Sequence, residues 1–155
     1  MQANPYVPFL PPHHQHAASL VPRSTWWWWH GHRVHIARAP EPKAPARVLL
    51  VHGAAGHSGA LWPIAALVAS RGIDISAVDL PPYGRTRSPV PAAVRYDTWV
   101  DLLIDLVEAE RDHRPLVLLG ASIGGLLSYE VAAHSPHVAA VAATCLLDPG
   151  NWRAR

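Results

Sequence analysis

From residue 47 onward the apolar positions alternate between two periods. Arg47 to His52 reads Arg-Val-Leu-Leu-Val-His, a continuous apolar run of the kind found in strands buried on both faces. Leu61, Ile64, Ala65 and Val68 then recur at helical spacing, and Gly72 fits a helix stop. Ile73 to Leu80 reads as a strand, broken by Pro81-Pro82-Tyr83-Gly84. Trp99, Leu102, Leu103, Leu106 and Val107 form one stripe, with Asp101, Asp105 and Glu108 on the opposite face and Asp97 as the expected N-cap. Leu116 to Leu119 is a short strand, Gly120 to Gly125 a tight turn, and Leu126, Leu127 and Val131 begin another helix. Val138 to Leu147 is a last, wholly apolar strand. Strands alternating with helices of about a dozen residues predict an α/β fold: a mostly parallel sheet with crossover helices on both faces.

The first 46 residues do not follow this rhythm. Residues 1–24 hold five prolines and three histidines with little periodicity, and are expected to form a disordered Pro/His-rich tail outside a domain spanning 25–155. Trp26 to Trp29 are four consecutive tryptophans, and a strand through them places two on each face. Arg33 to Arg38 alternates polar and apolar, so 25–39 reads as two short strands joined near Gly31. The indoles either cover a sheet edge or meet a lipid surface, where an amphipathic ring is at home.

Composition narrows the function classes. Half of the 155 residues are hydrophobic and the formal net charge is +2, with basic residues scattered, so no nucleic-acid footprint is present. The single cysteine, Cys145, rules out an intramolecular disulfide. It lies in an apolar run and is expected to be buried in a protein of a reducing, cytoplasmic compartment. No apolar stretch is long enough to span a bilayer, and the N-terminus does not read as a signal peptide. The sequence has no metal-ligand cluster of convincing spacing and no cofactor fingerprint, since Gly53-Ala54-Ala55-Gly56 lacks the dinucleotide pattern.

The chemistry concentrates at Leu119-Gly120-Ala121-Ser122-Ile123-Gly124-Gly125, which contains Gly-x-Ser-x-Gly between a strand and a helix. A serine on so sharp a turn projects above the sheet. Glycines two residues to either side remove Cβ atoms that would collide, and the helix N-terminus favours negative charge. The N–H of Ile123 is the expected first donor to an oxyanion. Ala54, in the Gly-rich loop that follows His52-Gly53, is the expected second, with Ala55 next.

His52-Gly53 after a strand, Asp79-Leu80-Pro81-Pro82-Tyr83-Gly84-Arg85-Thr86-Arg87-Ser88 after the next, and Gly120-x-Ser122-x-Gly124 together resemble the α/β-hydrolase superfamily. The middle segment is similar to that family's Asp-Leu-Pro-Gly-His-Gly-x-Ser, with Pro82-Tyr83 in place of Gly-His and one extra residue before Ser88. The resemblance covers about residues 25–150. It implies a serine esterase, lipase or lysophospholipase with a small-molecule ester substrate and no cofactor. Ser122 would be the nucleophile, and His52 would brace the oxyanion loop.

In that family the acid and then the histidine follow the serine. The chain ends 33 residues after Ser122, so the expectation is a partial domain whose sheet stops after about the sixth strand, inactive by itself. Asp148 is the one possible acid, but a structural aspartate at the strand end is the preferred reading. Among local histidines, His134 and His137 lie roughly 18 Å along their helix, His113 sits at the opposite edge, and His57 occupies a loop facing the turn. Asp79 is expected to brace loops. The competing readings are a non-catalytic binding module on the same fold, and carbon–carbon hydrolase or haloperoxidase chemistry on the same scaffold.

Overall fold

The computed structural model describes residues 4–145. Six strands form one sheet: β1 (Arg23–Trp29), β2 (His32–Ala39), β3 (Arg47–Val51), β4 (Asp74–Val78), β5 (Leu116–Ala121) and β6 (Val138–Thr144). Their spatial order is β1-β2-β4-β3-β5-β6. β4, β3, β5 and β6 run parallel, while the β1–β2 hairpin joins antiparallel through β2 and β4. The parallel strands therefore end together at one edge, where ligands bind in open α/β sheets.

The central strand explains its own sequence. Leu49 and Val51 point into one apolar layer and Leu50 into the other, so no position of that run could be polar. The first layer is closed by α3 (Tyr96–Ala109) and α4 (Ile123–His134), with Leu102, Leu103, Leu106 and Leu127 almost fully buried. The second is closed by α2 (Ser58–Ala69) through Trp62, Ala65 and Ala66. No buried side-chain polar atom among the described residues lacks a hydrogen-bond partner.

Four expectations need correction. Residues 4–24 are not the disordered tail expected. A 3-10 turn at Val7–Phe9 leads into α1 (Pro12–Ala18), and α1 packs on α2. Ala18 is fully buried, Trp62 Nε1 donates to the Leu20 carbonyl, and Asn4 Nδ2 donates to the Gly59 carbonyl. Proline content masked this segment, because Pro11 and Pro12 sit at a helix start, where a missing N–H costs nothing.

The same packing shifts the buried stripe of α2 to Trp62, Pro63, Ala65 and Ala66, leaving Ile64 half exposed. At α3 the N-cap is Arg95 rather than Asp97. The Arg95 N–H donates to Thr98 Oγ1, and Asp97 lies within the first turn. Finally, Cys145 is exposed, just past the end of the edge strand β6. Of the segment expected as the last strand, residues 146 and 147 lie outside the described residues, as does Asp148.

The tryptophans divide as the period of two requires. Trp27 and Trp29 face α3, where Trp29 Nε1 donates to Asp105 Oδ2 at 2.8 Å. Trp26 and Trp28 lie on the other face and remain exposed.

Candidate active site

Three loops meet at the carboxyl edge of β3, β4 and β5. Ser122 joins β5 to α4 with φ 55° and ψ −124°, a conformation that costs a non-glycine residue about 1–3 kcal/mol and is held by its surroundings. Its own N–H donates to the Thr144 carbonyl of β6, and its carbonyl accepts from the Gly125 N–H.

The flanking glycines are needed for packing. A Cβ on Gly120 would lie 2.4 Å from the Gly124 carbonyl oxygen, and one on Gly124 would lie 2.3 Å from the Val51 carbonyl oxygen. The first turn of α4 thus rests directly on the backbone of β3. Ile123 occupies the first helical position, so its N–H has no partner within the helix.

The loop after β3 closes against this turn. A Cβ on Gly53 would sit 3.1 Å from Ser122 Cβ and 3.7 Å from Ser122 Oγ, so the loop backbone passes beside the hydroxyl. The next residue, Ala54, is exposed, and its N–H makes no backbone hydrogen bond among the described residues.

His52 fixes that loop. It is buried, its Nδ1 donates to the Gly53 carbonyl at 2.7 Å, and its Nε2 accepts from the Leu80 N–H at 2.9 Å. Both contacts require one neutral tautomer. Burial pushes its pKa below the ordinary histidine value, against the smaller opposing effects of the Gly53 carbonyl and Asp79. Its ring is therefore a tie between two loops, with no nitrogen free to take a proton.

Asp79, at the end of β4, holds the third loop. Its Oδ1 accepts from the Ser58 N–H, and its Oδ2 accepts from the Arg85 N–H and from His35 Nδ1 at 2.9 Å. Burial alone would raise its pKa, but the bonds from His35, Arg85 and Ser58 prevail and hold it at about 2. Gly84 (φ +60°) lies so close that a Cβ there would meet the Asp79 carboxyl at 2.3 Å.

Sequence reasoning missed the far side of this brace. His35 Nε2 bonds Ser24 Oγ at 3.0 Å, and Arg85 Nη1 donates to the same hydroxyl. The alternation Val34-His35-Ile36 was the available signal, since it turns His35 away from the layer that buries its neighbours.

None of the local histidines hydrogen-bonds Ser122. His134 Nδ1 donates to the Glu130 carbonyl, and His137 Nε2 lies 3.1 Å from Glu108, both at the remote end of α4. His57 is the exposed N-cap residue of α2. Among the described residues no side chain hydrogen-bonds Ser122 Oγ.

A strained serine that bears no side-chain bond should be relieved by glycine. Ser122→Gly is expected to raise thermal stability by about 1 kcal/mol while removing the hydroxyl, which calorimetry would show as a higher Tm.

Residues 42–151 match the family model described as serine aminopeptidase, S33. The chain belongs to this family of α/β hydrolases. It is also 40% identical over 108 residues to "Lipase LipV" of Mycobacterium tuberculosis (strain ATCC 25618 / H37Rv), a match covering 70% of this chain and 39% of that protein.

The fold is similar to that of the thioesterase domain from the curacin biosynthetic pathway (TM-score 0.74, 20% identity, 87% of this chain and 52% of that one). It is similar as well to a soluble variant of monoglyceride lipase from Saccharomyces cerevisiae (TM-score 0.67, 19% identity, 88% and 48%). The chain thus spans roughly two fifths to one half of the length of these relatives. No helix of the described residues is long and apolar enough to cross a membrane.

Proposed function

We propose that this chain carries the nucleophile and the oxyanion donors of a carboxylic-ester or lipid-ester hydrolase. The observation that carries the reading is the apposition of Gly53 and Ser122, which sets the loop bearing the Ala54 N–H beside the turn bearing the Ile123 N–H. In the proposed reaction Ser122 Oγ attacks the ester carbonyl. The carbonyl oxygen takes up the negative charge between the two N–H groups, the alcohol departs, and water later releases the acid. Each donor contributes about 3 kcal/mol to the barrier reduction in sites of this type. The lipase relative supports an ester substrate.

No described side chain hydrogen-bonds Ser122 Oγ to take its proton, and Asp148 remains the possible acid. This favours a second reading for the 155-residue chain by itself, a binding module with an idle serine.

Labelling with a fluorophosphonate probe, followed by mapping of the modified residue, separates the two. The 155-residue chain alone is expected not to label. A longer polypeptide that adds the family's acid and histidine is expected to label at Ser122 and to lose labelling in Ser122→Ala. Labelling that survives this substitution overturns the assignment. Modification of Ser24, whose hydroxyl rests on His35, would move the nucleophile to the hairpin.

A further inference from the structure

The β1–β2 hairpin extends past the end of β4. Ile36 pairs with Val78 at the end of that strand, whereas Trp28 and Arg33 pair with each other three residues further out, at the edge that bears Ser122. On one face of this projection Trp28 is 71% exposed and Trp26 is 40% exposed, with the Arg33 guanidinium 4.1 Å over the Trp26 ring. The loop after β4 runs alongside, since Arg33 and Arg87 exchange backbone hydrogen bonds.

Arg33, Arg85 and Arg87 are all exposed, and none of their guanidinium groups has an acidic partner among the described residues. Arg85 instead contacts the Ser24 hydroxyl, and Arg87 contacts carbonyls of its own loop. The contrast lies at the opposite edge of the sheet, where Arg38, Arg47 and Arg114 pair with Glu110, Asp112 and Asp74. Those three cations are paired where the sheet begins, although Arg23, Lys43 and Arg71 near the same edge are not, whereas the three beside the hairpin tip have no carboxylate partner.

We propose that this hairpin docks on an anionic phospholipid surface, with the Trp26 and Trp28 indoles at the acyl–headgroup boundary and Arg33, Arg85 and Arg87 on the lipid phosphates and carboxylates. Two exposed indoles among unpaired guanidinium groups match the two layers of such a surface, one apolar and one negative. Docking there would bring the Ser122 edge to the lipid. That consequence rests on the hydrolase reading, whereas the docking itself does not.

The test is co-sedimentation of the full chain with phosphatidylcholine vesicles, with and without phosphatidylserine. The chain is expected to bind the phosphatidylserine vesicles, and less so as salt rises. Arg33→Ala with Arg87→Ala is expected to lower partitioning about 25-fold, each cation carrying about a fivefold factor. Trp28→Ser, at a site open to solvent, is expected to lower it about tenfold with an unchanged circular dichroism spectrum.

Absence of binding, equal binding to neutral vesicles, or indifference to these substitutions would overturn the proposal. So would tighter binding to a single-stranded oligonucleotide lost with the same substitutions, which would assign the patch to nucleic acid. Ser122→Ala is expected to bind vesicles like the parent chain. Vesicle binding with a serine that never labels in the longer polypeptide would leave the docking standing and remove the hydrolase reading.

Discussion

Gly124→Ala is expected to destabilise the fold by about 3 kcal/mol or more, a large effect for a single methyl group. The new Cβ would lie 2.3 Å from the Val51 carbonyl oxygen, 2.5 Å from that of His52 and 2.8 Å from the Val51 carbonyl carbon. These are backbone atoms, and β3 is hydrogen-bonded on both sides, to β4 and β5, so they cannot swing aside as a side chain would. Relief must come from α4 lifting away, which would also part the Ile123 and Ala54 N–H groups. Urea unfolding would measure the loss. Gly72→Ala is the matched control: its φ is +76°, but nothing lies within 4 Å of the added carbon, so about 1 kcal/mol is expected. Equal losses at the two positions would mean that the close approach of α4 to β3 carries no energetic weight.

The second large effect is expected at Asp79. Asp79→Asn keeps the shape but offers one accepting oxygen where the carboxylate offers two, and its amide would meet donors from Ser58 or from Arg85 and His35. A loss of about 3–5 kcal/mol is expected, typical of breaking a buried charged network from one side. The parent chain should show the matching pH dependence. Because the folded carboxyl titrates at about 2, below the ordinary aspartate value of 3.8, the unfolded chain binds the proton more readily. The stability that Asp79 contributes is therefore complete above about pH 4 and drains away as the pH falls toward 2, by about 2 kcal/mol in total. Equilibrium unfolding between pH 2 and 5 would show this slope in the parent and a flatter one in Asp79→Asn. Identical slopes would remove Asp79 as the origin.

The chain from residue 47 onward was legible because its signals are local. Arg47–His52, the α3 stripe and the Gly-x-Ser-x-Gly turn each declare their element within a few residues, and each stands where expected. Gly120, Gly124 and Gly53 lie in tight quarters: a Cβ on Gly120 would strike Gly124, and one on Gly53 would come within 3.1 Å of Ser122 Cβ. What failed was settled by contacts distant in the chain. α1 forms against α2 some fifty residues later, with Trp62 bonding the Leu20 carbonyl, and no periodicity in a short Pro-rich helix announces it. The Asp79–His35–Ser24 line joins three elements spread over 56 positions and has no spacing to recognise. Cys145 was read from its apolar neighbours, but the flank of an edge strand leaves it uncovered.

The contact of α4 with β3 is made of peptide groups: a helix turn laid on a strand's carbonyls, with hydrogen atoms where side chains would otherwise stand. Such an interface makes few demands on chemistry beyond the glycines themselves. The residues around it can drift through substitution while the turn, the loop and the serine keep their mutual positions. That is a physical basis for a shared backbone among proteins that agree at only about one position in five, and for a scaffold on which new specificities can arise without rebuilding its reactive corner.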